Sequence, residues 1–272
     1  MNEQTNLFNM KHESLANLST LSPYYQKGWR RSPTIIFIHG LSKSSQEHNV
    51  LFVRFKRAGY KYYSFNLPGH GDNLGADDTE MQVDHYTKLV VKFIIENNLK
   101  DIVLIGHSMG GAIAVCVNAL IPDLITGLIL EDPLNKMVFA LNKERIAKAI
   151  FSKDPNTGKR LNLFRWIKDT YHKSVKYRSL LKDILSSKTT KTIEWAYWQI
   201  FDKPVLLIFG KNDVVIPPKE SIHYICSAAK NIKVVIFENS AHSPHYDEPQ
   251  MYLNHILNFI KELKKLKRKK RL

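Results

Sequence analysis

Cysteine is scarce in this chain of 272 residues, in which Cys116 and Cys226 are the only two. Two cysteines cannot cross-link a fold of this size, and their spacing matches no metal-binding motif. We therefore expect both thiols to be reduced and packed as small apolar side chains, as is usual in cytoplasmic proteins. A disulfide between them is the alternative interpretation.

Long apolar runs are missing as well. The longest apolar stretch, residues 102–121, is interrupted by His107, Ser108 and Asn118 and contains three glycines, which argues against a membrane span. The first residues lack a basic segment followed by an apolar one, so we expect no secretory signal. These absences predict a cytoplasmic protein, and only its basic end suggests contact with a membrane surface.

Acidic residues are few, since 25 Asp and Glu stand against 40 Lys and Arg and the net charge is +15. Residues 133–202 hold 15 basic and 6 acidic residues, and residues 261–272 hold 8 and 1. The positive charge therefore belongs to an internal segment and a tail, and the rest of the chain is close to neutral. An apolar content of 44% with ordinary glycine and proline excludes disorder, collagen and a long coiled coil.

Short β-branched runs alternate with helical periodicities along most of the chain. This alternation, together with the apolar character of the runs, predicts an α/β fold with a mainly parallel sheet that is buried on both faces and flanked by helices. The predicted strands are residues 34–39, 61–66, 101–106, 125–130, 205–210 and 233–237. The predicted helices are residues 81–98, 110–120, 219–229 and 249–266.

The alternation stops between residues 133 and 202. This segment has no strand pattern and contains helical stretches with five aromatic residues, namely Trp166, Tyr171, Trp195, Tyr197 and Trp198. A helical insert between two strands would lie over the carboxyl ends of the strands, where open α/β sheets bind ligands. We predict a helical cap at 133–202 and a core formed by 1–132 and 203–272, with 261–272 as a basic tail. The aromatic residues would either line an apolar pocket or pack against the core.

The most specific local motif is Gly106-His107-Ser108-Met109-Gly110, which follows a predicted strand and precedes a predicted helix. A serine at such a strained strand-to-helix turn requires small neighbours two residues away on either side, because larger side chains would collide with the backbone. The motif predicts Ser108 as a catalytic nucleophile. A plain Gly/Ser turn is the alternative.

A serine hydroxyl needs a neighbouring base, and the base needs an acid that orients it. Asp213 follows the predicted strand 205–210, and His242 follows the strand 233–237. Both therefore leave the sheet at the edge where Ser108 lies, in the order serine, acid, histidine. Asp132 is the rival acid and His245 is the rival base.

An oxyanion that develops during acyl transfer needs preorganised N–H donors. The amide of Met109, directly after the nucleophile, is the first candidate. Leu41 N–H, in the loop after the strand 34–39, is the second, because Gly40 would let that backbone approach closely. His39-Gly40 could instead be a simple turn at the end of a strand.

Together, these motifs resemble the α/β-hydrolase superfamily over residues 33–262. The resemblance is closest to its small esterases and monoacylglycerol-lipase-like members. The matching segments are His39-Gly40, Asn66 to Gly71, Gly106 to Gly111, Gly210 to Asp213 and His242.

The resemblance implies Ser108 as nucleophile, His242 as base, Asp213 as acid, Leu41 and Met109 as oxyanion donors, and a cap inserted after the sixth strand. Asn66 replaces the usual Asp, Ala241 replaces the usual Gly, and the segment before Pro33 is short for the first two strands of the family. A serine at position 108 disfavours the branches that use aspartate there.

These observations predict a serine hydrolase that cleaves carboxylic esters of small molecules through an acyl-enzyme intermediate. We expect neither a cofactor nor a metal. A catalytically silent binding protein on the same scaffold is the main alternative, and peroxidation or carbon–carbon hydrolysis on the same residues is another.

The tail Lys264–Arg271 has three interpretations. It could bind anionic lipid headgroups, which would suit a lysolipid or monoacylglycerol hydrolase at membrane surfaces. It could contact RNA phosphates non-specifically, or it could be a solvated tail. We expect no specific nucleic acid partner, and the pattern does not predict an oligomeric state.

Overall fold

A computed structural model describes residues 15, 18, 19, 21–27, 31–140, 172 and 175–269 of the chain. Residues 141–171 of the predicted cap, with Trp166 and Tyr171, lie outside the described residues, as do the last three residues of the basic tail.

The described residues form one seven-stranded sheet. Its order is β1-β3-β2-β4-β5-β6-β7, with β1 antiparallel to β3 and the other six strands parallel. The strands are β1 (Pro23–Lys27), β2 (Arg31–Ile38), β3 (Tyr60–Phe65), β4 (Ile102–His107), β5 (Ile125–Glu131), β6 (Val205–Gly210) and β7 (Ile232–Phe237). The prediction of a mainly parallel α/β sheet is confirmed.

Helices connect the strands. They are α1 (Asn49–Arg57), α2 (Val83–Glu96), α3 (Met109–Leu120), α4 (Arg178–Ile184), α5 (Ser187–Trp198), α6 (Pro218–Ala228), α7 (Pro244–Asp247) and α8 (Pro249–Lys269). Short 3₁₀ helices lie at Ser45–His48, Pro122–Leu124 and Lys136–Ala140. The predicted helices correspond to α2, α3, α6 and α8.

The two faces of the sheet are covered by different helices, because successive side chains of a strand point to opposite faces. Ile35 and Phe37 of β2 pack in a cluster with α1 and α8, whereas Ile36 and Ile38 pack in a second cluster with α2, α3 and α6. All four side chains are buried. This explains why the central strands have apolar residues at consecutive positions.

Burial on both faces does not extend to the last strand. β7 lies at the edge of the sheet, and its Val234 and Ile236 are 36% and 46% exposed. The apolar run at 233–237 predicts the strand correctly and its burial wrongly, because the same composition occurs in central strands and in this edge strand.

The described part of 133–202 is helical, in agreement with the pattern of its sequence. α5 packs on the core through Ala196 and Tyr197, and the Tyr197 hydroxyl donates to the carbonyl oxygen of Leu134 at 3.0 Å. Trp195 packs partly against the same cluster, whereas Trp198 is 48% exposed. In the described chain this segment follows the fifth strand, β5.

The C-terminal helix is longer than predicted. α8 extends through 21 residues to Lys269, so most of the predicted basic tail is helical. None of the described helices combines the length and the apolar character needed to cross a membrane.

Candidate active site

Ser108 lies at a strained turn between β4 and α3. Its φ of 53° and ψ of −119° lie outside the usual regions for a residue with a side chain. Gly110 is needed beside it, because a Cβ at this position would lie 2.1 Å from the carbonyl oxygen of Ile38. The turn is therefore compatible with the predicted glycine motif.

The backbone of Ser108 is tied to the neighbouring strand. Its N–H donates to the carbonyl oxygen of Glu131 at 2.9 Å, and its own carbonyl oxygen accepts from Gly111 and Leu134, each at 2.9 Å. These three hydrogen bonds hold the turn in a conformation that an isolated peptide would rarely adopt.

Ser108, His242 and Asp213 form a continuous hydrogen-bonded chain. Ser108 Oγ lies 3.0 Å from His242 Nε2, and His242 Nδ1 lies 2.7 Å from Asp213 Oδ2. Asp213 Oδ1 accepts from the N–H groups of Val215 and Ile216 at 2.7 and 3.1 Å. The Asp213 carboxylate is therefore held by three donors, and the Nδ1–H tautomer of His242 leaves Nε2 free to accept a proton from serine.

The two rival residues have different surroundings. His245 is buried, and its Nδ1–H and backbone N–H both donate to Glu131 Oε1, at 2.7 and 2.8 Å. Asp132 Oδ1 accepts from the Gly210 N–H at 3.0 Å. The structure therefore brings the predicted histidine, and not His245, against Ser108.

Glu131 anchors the loop that carries His242. Besides the two bonds from His245, its Oε2 accepts from the Tyr252 hydroxyl at 2.9 Å. Burial alone would raise the pKa of Glu131, but the charge and hydrogen bonds of His245 lower this pKa to about 2. A permanently charged carboxylate thus joins the end of β5 to α7 and α8.

His107 supports the same loop, which the sequence analysis did not predict. Its Nε2–H donates to the carbonyl oxygen of His242 at 2.7 Å. Burial lowers the pKa of His107 to about 3, so the ring is neutral. This role could have been suspected from the sequence, because His107 lies inside the motif around Ser108 and a polar side chain at the end of a buried strand needs a hydrogen-bond partner.

His39 connects two loops at this edge of the sheet. Its Nδ1–H donates to the carbonyl oxygen of Gly40 at 2.9 Å, and its Nε2 accepts from the Leu67 N–H at 3.1 Å. Burial lowers the pKa of His39 to about 3, which keeps Nε2 available as an acceptor. The His39-Gly40 pair is therefore more than a simple turn at the end of a strand.

Of the two predicted oxyanion donors, Met109 directly follows Ser108 in the chain, and Leu41 directly follows Gly40, whose backbone passes close to Ser108. Met109 is the first residue of α3, where N–H groups lack acceptors within the helix. The loop of Leu41 passes against Ser108, since a Cβ on Gly40 would lie 3.1 Å from Ser108 Cβ. The backbone of this loop can therefore approach an atom bonded to Ser108 Oγ.

One group of side chains resembles a metal site in its spacing. Potential ligand atoms of His107, Asp132 and His242 all lie within 4.8 Å of one another. His242 already uses both ring nitrogens, for Asp213 and for Ser108. An ion would have to break one of these bonds, so the spacing is better explained by the hydrogen-bonded site, and we assign no metal to it.

The two departures from the family pattern fall on residues with structural contacts. Asn66 Oδ1 accepts from the Ser45 N–H at 2.9 Å, and Asn66 Nδ2 donates to Gln46 Oε1 at 3.3 Å. The Ala241 N–H donates to Asp247 Oδ2 at 3.0 Å. Neither substitution removes a member of the chain from Ser108 to Asp213.

A parallel sheet with a serine at a strained turn after a central strand, and with an acid and a histidine on later loops of the same edge, defines an α/β hydrolase. Comparison with known sequences agrees, since the model of the alpha/beta hydrolase family matches residues 35–254. The chain therefore belongs to the alpha/beta hydrolase family.

Its relatives carry esterase and lipase names. A protein of Mycoplasma genitalium named "Putative esterase/lipase 2" is 34% identical over 262 residues, which cover 92% of this chain and 98% of the relative. A protein of the same name from Mycoplasma pneumoniae is 33% identical over 253 residues, covering 89% and 94%. The structure of a "putative lipase" from Acinetobacter baumannii AYE has a TM-score of 0.69 at 21% identity and covers 97% of both chains.

Proposed function

We propose that the protein is a serine hydrolase that cleaves carboxylic esters of small molecules through an acyl-enzyme intermediate and needs no cofactor. The observation that carries this proposal is the hydrogen-bonded chain from Ser108 Oγ through His242 to Asp213. The names of the relatives support ester substrates. In this proposal Ser108 is the nucleophile, His242 the general base and Asp213 the acid that orients it.

In the first half-reaction, His242 Nε2 takes the proton of the Ser108 hydroxyl as Oγ attacks the ester carbonyl carbon. The carbonyl oxygen becomes an oxyanion and accepts hydrogen bonds from the N–H groups of Leu41 and Met109. The C–O bond to the alcohol then breaks, and His242 gives its proton to the leaving alkoxide. Asp213 stabilises the imidazolium that forms between these steps.

In the second half-reaction, a water molecule replaces the alcohol. His242 takes a proton from the water, whose oxygen attacks the acyl carbon, and the same two N–H groups stabilise the second oxyanion. The proton returns to Ser108 Oγ as the ester bond breaks and the carboxylic acid leaves. The His242 side chain is 23% exposed, so water can reach this position.

We also propose that residues 133–202 form a cap domain over this edge of the sheet. Support comes from the described half of the segment. The ring of Tyr177 stacks on that of His70 with centroids 4.8 Å apart, and Asp183 Oδ2 accepts from the Val83 N–H at 2.9 Å. The first contact reaches the loop after β3, and the second reaches the first residue of α2.

The central experiment is labelling with a fluorophosphonate probe, followed by turnover of an ester panel of graded acyl length. We expect the probe to label the wild type and not Ser108→Ala. We also expect Ser108→Ala to lower turnover of a short acyl ester by about 10⁶-fold, by analogy with serine proteases. An unlabelled wild type that still binds ligands would favour the silent binding protein. A Ser108→Ala variant that keeps most of its activity would refute the assignment.

The basic end of α8 lies at the opposite edge of the sheet from Ser108. Lys264 Nζ donates to the Tyr60 hydroxyl at 3.2 Å, and Lys267 Nζ lies 2.9 Å from Asp101 Oδ1. Tyr60 begins β3 and Asp101 precedes β4, whereas Ser108 follows the other end of β4. A strand of this length separates the two edges by roughly 20 Å.

We propose that this end of α8 contacts anionic lipid headgroups. Lys261, Lys265 and Leu266 are exposed on it, and each lysine near an anionic surface contributes about 1 kcal/mol. Bound this way, the protein would turn its candidate site away from the bilayer. The arrangement favours esters that arrive from water over lysolipids or monoacylglycerols taken directly from the membrane.

Sedimentation with phosphatidylcholine vesicles, with and without phosphatidylglycerol, tests this contact. We expect Lys261→Glu/Lys265→Glu to weaken binding to the anionic vesicles by at least about tenfold, because two attractive charges become repulsive. The matched control is Lys182→Glu/Lys191→Glu, which reverses two exposed lysines on α4 and α5. Equal sedimentation of both variants and the wild type would remove the proposal, and selective binding to RNA would favour phosphate contacts of another kind.

A further inference from the structure

Asp132 occupies a position equivalent to that of Ser108 on the neighbouring strand. Ser108 directly follows β4 and Asp132 directly follows β5, and both have positive φ, 53° and 39°. Aspartate tolerates this region better than most residues, but the conformation still has a cost that surrounding contacts must offset. The Asp132 N–H donates to the Ile208 carbonyl oxygen at 2.9 Å, which fixes the residue against β6.

The two buried acids of the site receive very different support. Asp213 accepts hydrogen bonds from three donors, including His242. Asp132 is 0% exposed and accepts one hydrogen bond, from the Gly210 N–H to Oδ1. Its Oδ2 is buried and receives no hydrogen bond from the described residues. A buried carboxylate with a bare oxygen is strongly disfavoured, whereas a protonated carboxyl group has a hydrogen to donate.

The charges that face Asp132 act in the same direction. Burial has the largest effect on the pKa of Asp132, and the nearby negative charges of Asp213 and Glu131 add to it. Together they raise this pKa well above its ordinary value. Asp213 lies close by, since His242 Nδ1 is 2.7 Å from Asp213 Oδ2 and a ring nitrogen of His242 is within 4.8 Å of the Asp132 carboxyl group. Two histidines also face Asp132, namely His242 and His107, and burial lowers the pKa of His107 to about 3.

We propose that Asp132 is a positioning residue that stays protonated and donates a hydrogen bond from its Oδ2 to the carboxylate of Asp213. The pair of acids then holds one negative charge behind His242 instead of two. A second charge would favour the protonated imidazolium and remove the base that Ser108 needs at neutral pH. The hydrogen bond also gives Asp213 a fourth donor, which fixes the carboxylate that orients His242.

The kinetic part of the test rests on the proposed ester hydrolysis. Asp132→Asn keeps an N–H donor and adds no charge, so we expect the acid limb of the kcat/KM profile against pH to keep its midpoint within about 0.3 pH unit. Asp213→Asn removes the charge itself, so its acid limb should move to lower pH, since a nearby negative charge favours the protonated form of histidine. Asp123→Asn, an exposed aspartate, is the matched control.

Infrared difference spectra supply a readout that needs no turnover. We expect the wild type at neutral pH to show a protonated-carboxyl band that is lost in Asp132→Asn and retained in Asp123→Asn. Absence of this band from the wild type, or a shift of about 1 pH unit in the acid limb of Asp132→Asn, would overturn the proposal. If the protein hydrolyses no ester, the kinetic arm fails and the infrared arm still decides the protonation of Asp132. Asp132→Ser, which also retains a donor, replaces Asp132→Asn if the latter does not fold.

Discussion

The parallel strands end at one side of the sheet, here called the carboxyl edge, and begin at the opposite side, the amino edge. These two edges hold charged groups in different ways. At the carboxyl edge, the side chains of Asp213 and Glu131 are 0% exposed, and each accepts three hydrogen bonds from fixed donors. At the amino edge, Lys233 pairs with Glu262 while the two side chains remain 52% and 49% exposed. A buried charge must have its donors in place, whereas an exposed one can exchange partners with water. The carboxyl edge can therefore hold a reacting group in one orientation, and the amino edge can adapt to a partner.

Among the changes that compare the two edges, the largest expected effect tests the orienting role of a buried acid. Asp213→Asn keeps the shape of the side chain but favours the other tautomer of His242, and the corresponding change in serine proteases lowers kcat by about 10⁴-fold. We expect a loss of this order, measured with a short acyl ester, and a much smaller loss in Asp132→Asn. The reverse ranking would make Asp132 the acid.

The second prediction concerns the buried anchor Glu131. Glu131→Gln leaves His245 with a weakened partner in the interior, so we expect the free energy of unfolding at pH 7 to fall by roughly 3 kcal/mol. The matched control is Glu238→Gln, because Glu238 is 65% exposed. Urea unfolding measures both variants, and equal small losses would show that burial does not distinguish the two carboxylates.

The pH dependence of this anchor follows from the direction of its pKa shift. Its native pKa of about 2 is below the ordinary 4.5, so the carboxylate contributes its full stability above about pH 4.5. That contribution is lost as the pH falls from 4.5 toward 2. The difference in unfolding free energy between wild type and Glu131→Gln should therefore shrink over this interval. A difference that stays constant down to pH 2 would contradict the assignment.

The smallest effect is expected at the amino edge. Lys233→Ala removes a half-exposed ion pair, and pairs of this kind contribute about 0–1 kcal/mol, so unfolding at moderate salt should change by no more than about 0.5 kcal/mol. A loss comparable with that of Glu131→Gln would erase the contrast between the two edges.

Sequence periodicity predicts six of the seven strands, because central parallel strands need apolar residues on both faces. It does not predict β1, residues Pro23–Lys27, which contains a proline and two tyrosines. This strand exists through pairing with β3 at the edge, and such a long-range partner leaves no local pattern.

The candidate site was predictable where backbone geometry imposes residue types. A strained turn demands glycines around Ser108, and the parallel strands bring the loops of Asp213 and His242 to the same edge. The supporting roles of His39, His107 and Glu131 were not predictable, because each depends on a partner that is distant in sequence. The separation of 135 positions between His107 and His242 illustrates the point.

The position of α8 has a practical consequence for handling the protein. The helix begins just after the loop of His242 and ends beside Asp101, at the far edge of the sheet. A resin or sensor chip coupled through a linker placed after Lys269 would therefore hold the molecule with the carboxyl edge of the sheet facing the solution. Protein immobilised in this orientation should keep the edge that carries Ser108 accessible to dissolved substrate.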